Sequence, residues 1–334
     1  MDPVTNQKRY QPSSSSSSSK AAMENNNGNE IQEANITLLP EGCIANVVSF
    51  TTPRDACSLS LVSSLFKNAS LSDTVWDSFL PPDYHAIISQ SSDPSLLSSS
   101  SSKKHLFGSL CQKPILIDHG KKSFALDKWS GKKCYMLSAR DLNITWGSTP
   151  TYWKWNSDPH SRFGEVAELL NVCWLEITGK ISTNLLSPST LYSAYLVFKL
   201  KERAHGLLDP PAEAIVGVGA ETERNRRTVY LDTDADSSYR MSLRRQGPVM
   251  LRTRGGLARR IAEAEPPVAA GPSGESENGP KKRGDGWVEV ELGEFFNENV
   301  NDEELVVSVL EVKQGNWKSG LVVEGIEIRP KHKI

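Results

Sequence analysis

No apolar run in this chain is long enough to span a bilayer, so no membrane partner is expected. An excess of charge of either sign is also missing. The 38 Lys and Arg residues stand against 40 Asp and Glu, a formal net charge of -2, which gives no general pull toward nucleic acid. Paired cysteines are absent as well. Cys43, Cys57, Cys111, Cys134 and Cys173 are odd in number, scattered and without CxxC spacing, which argues against a zinc site or a disulfide framework. The opening MDPVTNQKRYQPSSSSSSSK lacks the apolar core of a signal peptide. A reducing compartment, cytoplasm or nucleus, is therefore expected, and the sequons beginning at Asn35, Asn68 and Asn143 are read as chance matches.

Catalytic and cofactor signatures are equally sparse. The six histidines show no HExxH or comparable ligand spacing, and no serine sits in a GxSxG elbow. Gly217-Val218-Gly219 lacks the remainder of a dinucleotide fingerprint. Basic clusters at Arg224–Arg227, Arg252–Arg260 and Lys281–Arg283 are interleaved with acids, Gly and Pro, as in a solvated loop. No enzyme, cofactor, metal or nucleic-acid partner is expected.

What is present falls into blocks. Residues 1–35 are rich in Ser and Asn, nearly free of apolar side chains, and expected as a disordered tail. Residues 36–82 carry helix signals. Pro40 fits a first turn, with Glu41 favourable near the positive end of the helix dipole, and Ile44, Val47 and Val48 fall on one face. Thr52-Pro53-Arg54-Asp55 predicts an N-cap with Pro at the first helical position and an acid at the third. A second helix is expected to carry Leu59, Val62 and Phe66 on one face and Leu61 and Leu65 on another, covered on two sides. Ser72 starts a third with Val75, Trp76 and Phe79, and Pro81-Pro82 stops it. A unit of about forty residues is too small to bury much core alone, so this one is expected to complete its apolar surface on a partner.

Residues 83–122, with the Ser-rich run Ser89–Ser102, are expected as a linker holding one short helix within Lys103–Gly120. From 123 to 331 the period changes to two. Tyr192, Ala194, Leu196, Phe198 and Leu200 line one strand face, and Val288, Val290 and Leu292 oppose Glu289 and Glu291. Leu305–Val312 is apolar on both faces and should be central, Ile326 and Ile328 alternate with charge, and Val172–Ile181, Ala214–Val218 and Thr228–Leu231 add strands. A short helix is expected within Gly164–Asn171, where Val166, Leu169 and Leu170 fall at helical intervals. Residues 232–284 are expected as a flexible insertion. The fold class is α+β and multidomain: a three-helix unit, then an antiparallel β-sandwich.

The segment Ile144–Asn156, ITWGSTPTYWKWN, sets Trp146, Tyr152, Trp153 and Trp155 around a turn marked by Gly147 and Pro150. An indole face suits the C–H face of a pyranose, with nearby polar groups for its hydroxyls. Burial in the core is the competing account, because Trp is highly buried on average. Trp174 shares a strand face with Glu176, and Trp287 and Trp317 also stand where a groove could be flanked.

These residues reach a known family. Leu39-Pro40-Glu41-Gly42-Cys43-Ile44, TPRDAC and Val75-Trp76 resemble a plant F-box. ARDLNITWGSTPTYWKW, RFGEVAELLNVCWLEITGKI, LYSAYLVFKL, GDGWVEVELGEFF and WKSGLVVEGIEIRPK resemble the phloem protein 2 lectin domain, related to the tobacco jasmonate-induced lectin. Together they cover most of the chain between Leu38 and Lys331. The resemblance implies an F-box that docks the Skp-type adaptor of a cullin–RING ubiquitin ligase, and a jelly-roll-like sandwich with affinity for N-acetylglucosamine-containing glycans. It places the sugar-binding pair on Trp146 and Trp153, with Thr151 where the family commonly has a basic residue. Leu39, Pro40, Ile44, Leu59 and Leu61 are the expected adaptor contacts, against the alternative of internal packing. The functional expectation is an SCF substrate receptor for glycoproteins. The alternatives are a lectin acting without the ligase and a sandwich that binds protein surfaces directly.

Overall fold

Local capping chemistry lays out the N-terminal helices. In the computed structural model, which describes residues 36–219, 222, 225–233, 279–298 and 302–332, Ile36–Leu38 form one 3-10 turn, and the chain from Leu39 onward forms a separate compact unit. The expected tail over 1–35 lies outside the described residues, as does 234–278 of the expected insertion. The helices are α1 (Glu41–Ser49), α2 (Pro53–Leu59), α3 (Ser64–Leu71), α4 (Asp73–Phe79), α5 (Tyr84–Ser89), α6 (Leu96–Ser99) and α7 (Lys103–Gln112). Thr52 caps α2 reciprocally: its hydroxyl accepts from the Asp55 amide at 3.2 Å, and the Asp55 carboxylate accepts from the Thr52 amide at 3.3 Å.

The expected second helix is two helices, so 36–79 holds four rather than three. The stripe through Leu59, Val62 and Phe66 is cut because Ser60 turns its hydroxyl back to the Cys57 carbonyl at 2.6 Å, while the Ser63 hydroxyl accepts from the Phe66 amide and opens α3. Such side-chain bonds compete with helix continuation. The turn leaves Leu61 at 87% and Val62 at 68% exposure instead of covered.

Residues 83–122 are not a linker. Leu106, Phe107 and Leu110 of α7 are buried, and the Phe107 ring lies 5.3 Å from that of Trp76. Three short apolar positions amid Ser and Lys gave little periodic signal, yet together they seat α7 against α4. The segment also supplies strands. In order, the strands are β1 (Ile115–Ile117), β2 (Lys122–Leu126), β3 (Lys133–Ser138), β4 (Asn143–Ile144), β5 (Trp153–Asn156), β6 (Val166–Leu169), β7 (Leu175–Ser182), β8 (Thr190–His205), β9 (Ala212–Val218), β10 (Arg226–Val229), β11 (Lys281–Lys282), β12 (Val288–Asn297), β13 (Glu304–Glu311) and β14 (Ser319–Pro330).

Two antiparallel sheets result. The first runs β1-β2-β3-β14-β8-β12-β11, with β6 pairing β14 and carrying β5. The second runs β10-β9-β13-β7-β4. They pack face to face: a Cβ added at Gly179 of β7 would lie 2.9 Å from the Leu137 side chain of β3 and 3.2 Å from that of Ile326 of β14. β13 lies between β9 and β7, as its two-faced apolar pattern requires. Two further corrections concern strands. The helix expected within Gly164–Asn171 is β6. Val166, Ala167 and Leu169 are all buried, and a strand covered on both faces mimics helical spacing. The expected insertion also ends sooner than 284: β11 pairs Lys281 with Glu289 and Lys282 with Val288. Arg283 then bonds Glu289 and Glu327 at 2.7 and 2.6 Å.

Candidate functional site

The aromatic segment runs from β4 at the edge of the second sheet to β5 of the first. β4 pairs β7, and the Thr145 amide extends that pairing to the Glu176 carbonyl at 3.0 Å. The chain then turns sharply. Trp146 takes φ 58, and the Gly147 amide returns to the Ile144 carbonyl at 2.8 Å. A left-handed backbone on a bulky residue costs roughly 1–3 kcal/mol and persists only where its surroundings over-determine it. Here two indoles do so. Trp153 donates Nε1–H to the Thr145 carbonyl at 3.2 Å, and Trp155 donates to the Gly147 carbonyl at 2.8 Å.

The turn separates the two predicted sugar-binding residues. Trp146 is 42% exposed, with its ring 5.3 Å from that of Tyr152. Trp153 is 2% exposed and packed in the core, because its register opposite Leu169 turns it inward. It therefore supports the turn and presents no face to a ligand. A carboxylate from β7 bonds the residue that precedes Trp146. Glu176 Oε2 accepts from the Thr145 hydroxyl at 2.8 Å and from Trp174 Nε1 at 3.1 Å, and the Trp174 ring is exposed. Trp146 stacks near Tyr152, and Trp174 shares the Glu176 carboxylate with Thr145, the residue before Trp146. The shared face of Trp174 and Glu176 was visible in their spacing, but the bond from Thr145 to Glu176 was not. Trp287 is buried, its indole donating to the His160 carbonyl at 3.0 Å, and Trp317 is exposed.

A cation near the turn comes from Arg140, where sequence position 151 offers only Thr. Arg140 lies 3.7 Å from the Trp155 ring centroid and grips Glu165 with two bonds of 2.8 and 2.9 Å. That grip holds the Glu165 carboxyl below its ordinary range. Among the described residues no group of three His, Cys, Asp or Glu side chains stands ready to hold a metal.

On the helices, Leu39, Pro40 and Leu61 are exposed, and Leu59 is half-buried against the core. Ile44 is fully buried, so it is a packing residue and not a surface contact. Val47, Phe50 and Val62 are exposed apolar side chains that the expected contact set omitted. Val47 shared the predicted stripe of α1, but the buried set there is Ile44, Ala45 and Val48.

The F-box domain model matches residues 36–78, and the phloem protein 2 model matches residues 132–330. The chain belongs to the F-box phloem protein 2 family. One F-box protein of Arabidopsis thaliana is 46% identical over 293 residues, covering 88% of this chain and 79% of its own. The F-box protein PP2-B1 of the same plant is 43% identical over 312 residues, covering 88% and 89%. Another, PP2-B10, is 43% identical over 293 residues, covering 87% and 92%. An F-box phloem protein 2 chain thus joins an F-box to a lectin-like domain, and F-box proteins are generally adaptors rather than enzymes.

Proposed function

We propose that this protein is the cargo-recognition subunit of an SCF-type ubiquitin ligase in the cytoplasm or nucleus. The F-box docks a Skp-type adaptor and, through it, the cullin–RING ligase. The phloem protein 2 domain captures glycoproteins that carry N-acetylglucosamine. The observation that carries this reading is the set of large apolar side chains left in solvent on α1 and the turns around α2. Phe50 is 84% exposed, and Leu39, Val47, Leu61 and Val62 join it. Within the chain, α1, α3 and α4 cover one another, and α7 covers α4. An adaptor that covers these side chains removes apolar surface from water at about 25 cal/mol per Å².

At the other end, the Trp146 and Trp174 faces offer stacking surfaces, and Glu176 offers acceptors for ring hydroxyls. No bond in the cargo is made or broken by these residues. Holding cargo near the ligase raises its effective concentration for transfer. Binding of the purified chain to a Skp-type adaptor is the direct test. Leu39→Ala/Pro40→Ala and Leu61→Asp/Val62→Asp should each weaken it at least tenfold with the melting temperature kept. Wild-type protein that fails to bind any such adaptor would overturn the proposal.

A further inference from the structure

A cavity of about 220 Å³ opens on the outer face of the first sheet. Its floor is apolar: Val166 of β6 and Val322 of β14 are buried there. Its walls are polar, and strand register explains why they converge. Val322 is the cross-strand partner of both Glu168 and Lys199, and Glu168 is the partner of Lys154. Asn156, two residues beyond Lys154, points to the same side as Lys154 and bonds Glu168 Oε2 at 2.6 Å. Asp158 accepts from Lys199 Nζ at 2.9 and 3.1 Å, and Lys201 Nζ lies 3.5 Å from Glu168.

The lining holds two ammonium groups and two carboxylates, so its formal charges balance. Burial pushes the Asp158 carboxyl up, but Lys199 and His160 outweigh it and hold the group below its ordinary range. The walls therefore offer charged acceptors, charged donors and one amide around an apolar base. A small, partly open site of this composition suits a compact ligand with one apolar face and a rim of hydroxyls.

We infer that this cavity is a second carbohydrate site, taking the ring of one neutral pyranose. Its C–H face lies on Val166 and Val322, and its hydroxyls meet Asn156, Asp158, Glu168 and Lys199. It is separate from the Trp146 platform. Trp153 and Trp155 point to the opposite face of the β5–β6 ribbon, opposite Leu169 and Ala167, and hold the Trp146 turn from that side. One sugar ring cannot reach both faces. Two sites on one domain would raise the avidity for cargo bearing several sugars. The ligand class rests on the carbohydrate reading above, whereas the location does not.

Titration calorimetry on the full chain tests this with methyl glycosides of N-acetylglucosamine, glucose, galactose and mannose. Ser157→Trp fills the mouth of the cavity and leaves every ion pair in place, and Asn156→Ala is the milder probe. The expected result is two sites in the wild type for at least one glycoside and one site in Trp146→Ala. Adding Ser157→Trp should weaken that remaining site at least tenfold, and adding Asn156→Ala severalfold. Loss of all binding in Trp146→Ala would overturn the second site and leave the first. A remaining site unmoved by Ser157→Trp and Asn156→Ala, or one competed by inorganic sulfate, would also overturn it. Binding unchanged by Trp146→Ala but abolished by Ser157→Trp would support the cavity and remove the platform. No binding of any glycoside would overturn both.

Discussion

Trp146→Ala and Trp153→Ala should fail in different ways. Trp153 is buried in the core and its indole N–H holds the Thr145 carbonyl. Truncating a buried Trp costs about 3–5 kcal/mol, and the lost hydrogen bond adds about 1 kcal/mol. At roughly 2–4 °C per kcal/mol for a domain of this size, melting should fall by about 8–24 °C. Trp146 is partly in solvent and makes one ring contact, with Tyr152, worth about 0.5–1.5 kcal/mol. Its alanine variant keeps the left-handed backbone and should melt within a few degrees of wild type. Calorimetric melting read beside glycan binding separates the two. Trp146→Ala should lose binding at the platform with the fold kept. Trp153→Phe, which keeps most of the volume but drops the N–H, should fold and bind more weakly because the turn is held by one indole instead of two. If Trp153→Ala melted like wild type and lost binding while Trp146→Ala bound normally, the inward assignment of Trp153 would be wrong.

Gly131 and Gly120 both take positive φ, at 70 and 80, but a Cβ on Gly131 would also meet the Phe79 carbonyl at 3.0 Å, whereas Gly120 has open space. Each Ala variant should pay about 1–2 kcal/mol for the backbone, and Gly131→Ala roughly 1–3 kcal/mol more for the contact; equal melting temperatures would refute the seating of α4 on the β2–β3 turn. Ile44→Ala should destabilise by about 2–5 kcal/mol, while Leu61→Asp/Val62→Asp should leave thermal unfolding nearly unchanged. Burial pushes Glu327 up, but Arg283, Arg162 and Arg329 outweigh it and hold its carboxyl below the usual 4.5. Its folded pKa is below its unfolded one, so its contribution is present above about pH 4.5 and lost as pH falls through the depressed value. Arg283→Met should therefore move the midpoint of acid unfolding to higher pH; an unmoved midpoint would count against the network. Glu324, raised from its usual value chiefly by burial, acts in the opposite sense, and Ser161 and the Arg162 amide bond it.

Features set by neighbours in sequence were legible, and features set by register were not. The Thr52–Asp55 capping box is written in four consecutive residues and forms as expected. The alternation in Tyr192–Leu200 and the two-faced run at Leu305 identify β8 and β13 because a strand's period is a local property. The α2–α3 break depends on which of two competing hydroxyl bonds wins, and no periodicity records that. Trp146 and Trp153 belong to one motif. Only the pairing of β5 with β6, which places Trp153 opposite Leu169, decides that one is outside and the other inside. The cavity over Val322 joins the neighbouring strands β5 and β6 to β8 and β14, which are distant in sequence, so spacing could not show it.

The segment between the two family matches, residues 79–131, changes what the F-box implies. A unit too short to bury its own core was expected to complete its surface on a partner, yet much of that surface is completed from within the chain. Phe107 of α7 packs on Trp76 of α4, Asp83 pairs with Lys133 of β3 at 2.7 Å, and the Arg54 amide bonds the Trp129 carbonyl at 3.4 Å in the β2–β3 turn. The same segment adds β1 and β2 to the first sheet, so one stretch of chain belongs to both cores. A flexible tether could not make these contacts, which tie α7 to α4, the start of α5 to β3, and α2 to the β2–β3 turn. The apolar side chains still exposed, Phe50, Leu61 and Val62 among them, are what remains after this internal closure. In the proposed ligase their partner would then grip a body whose cargo-binding end is already oriented, and the distance from adaptor to cargo would be set by α7 and β2 rather than by a linker.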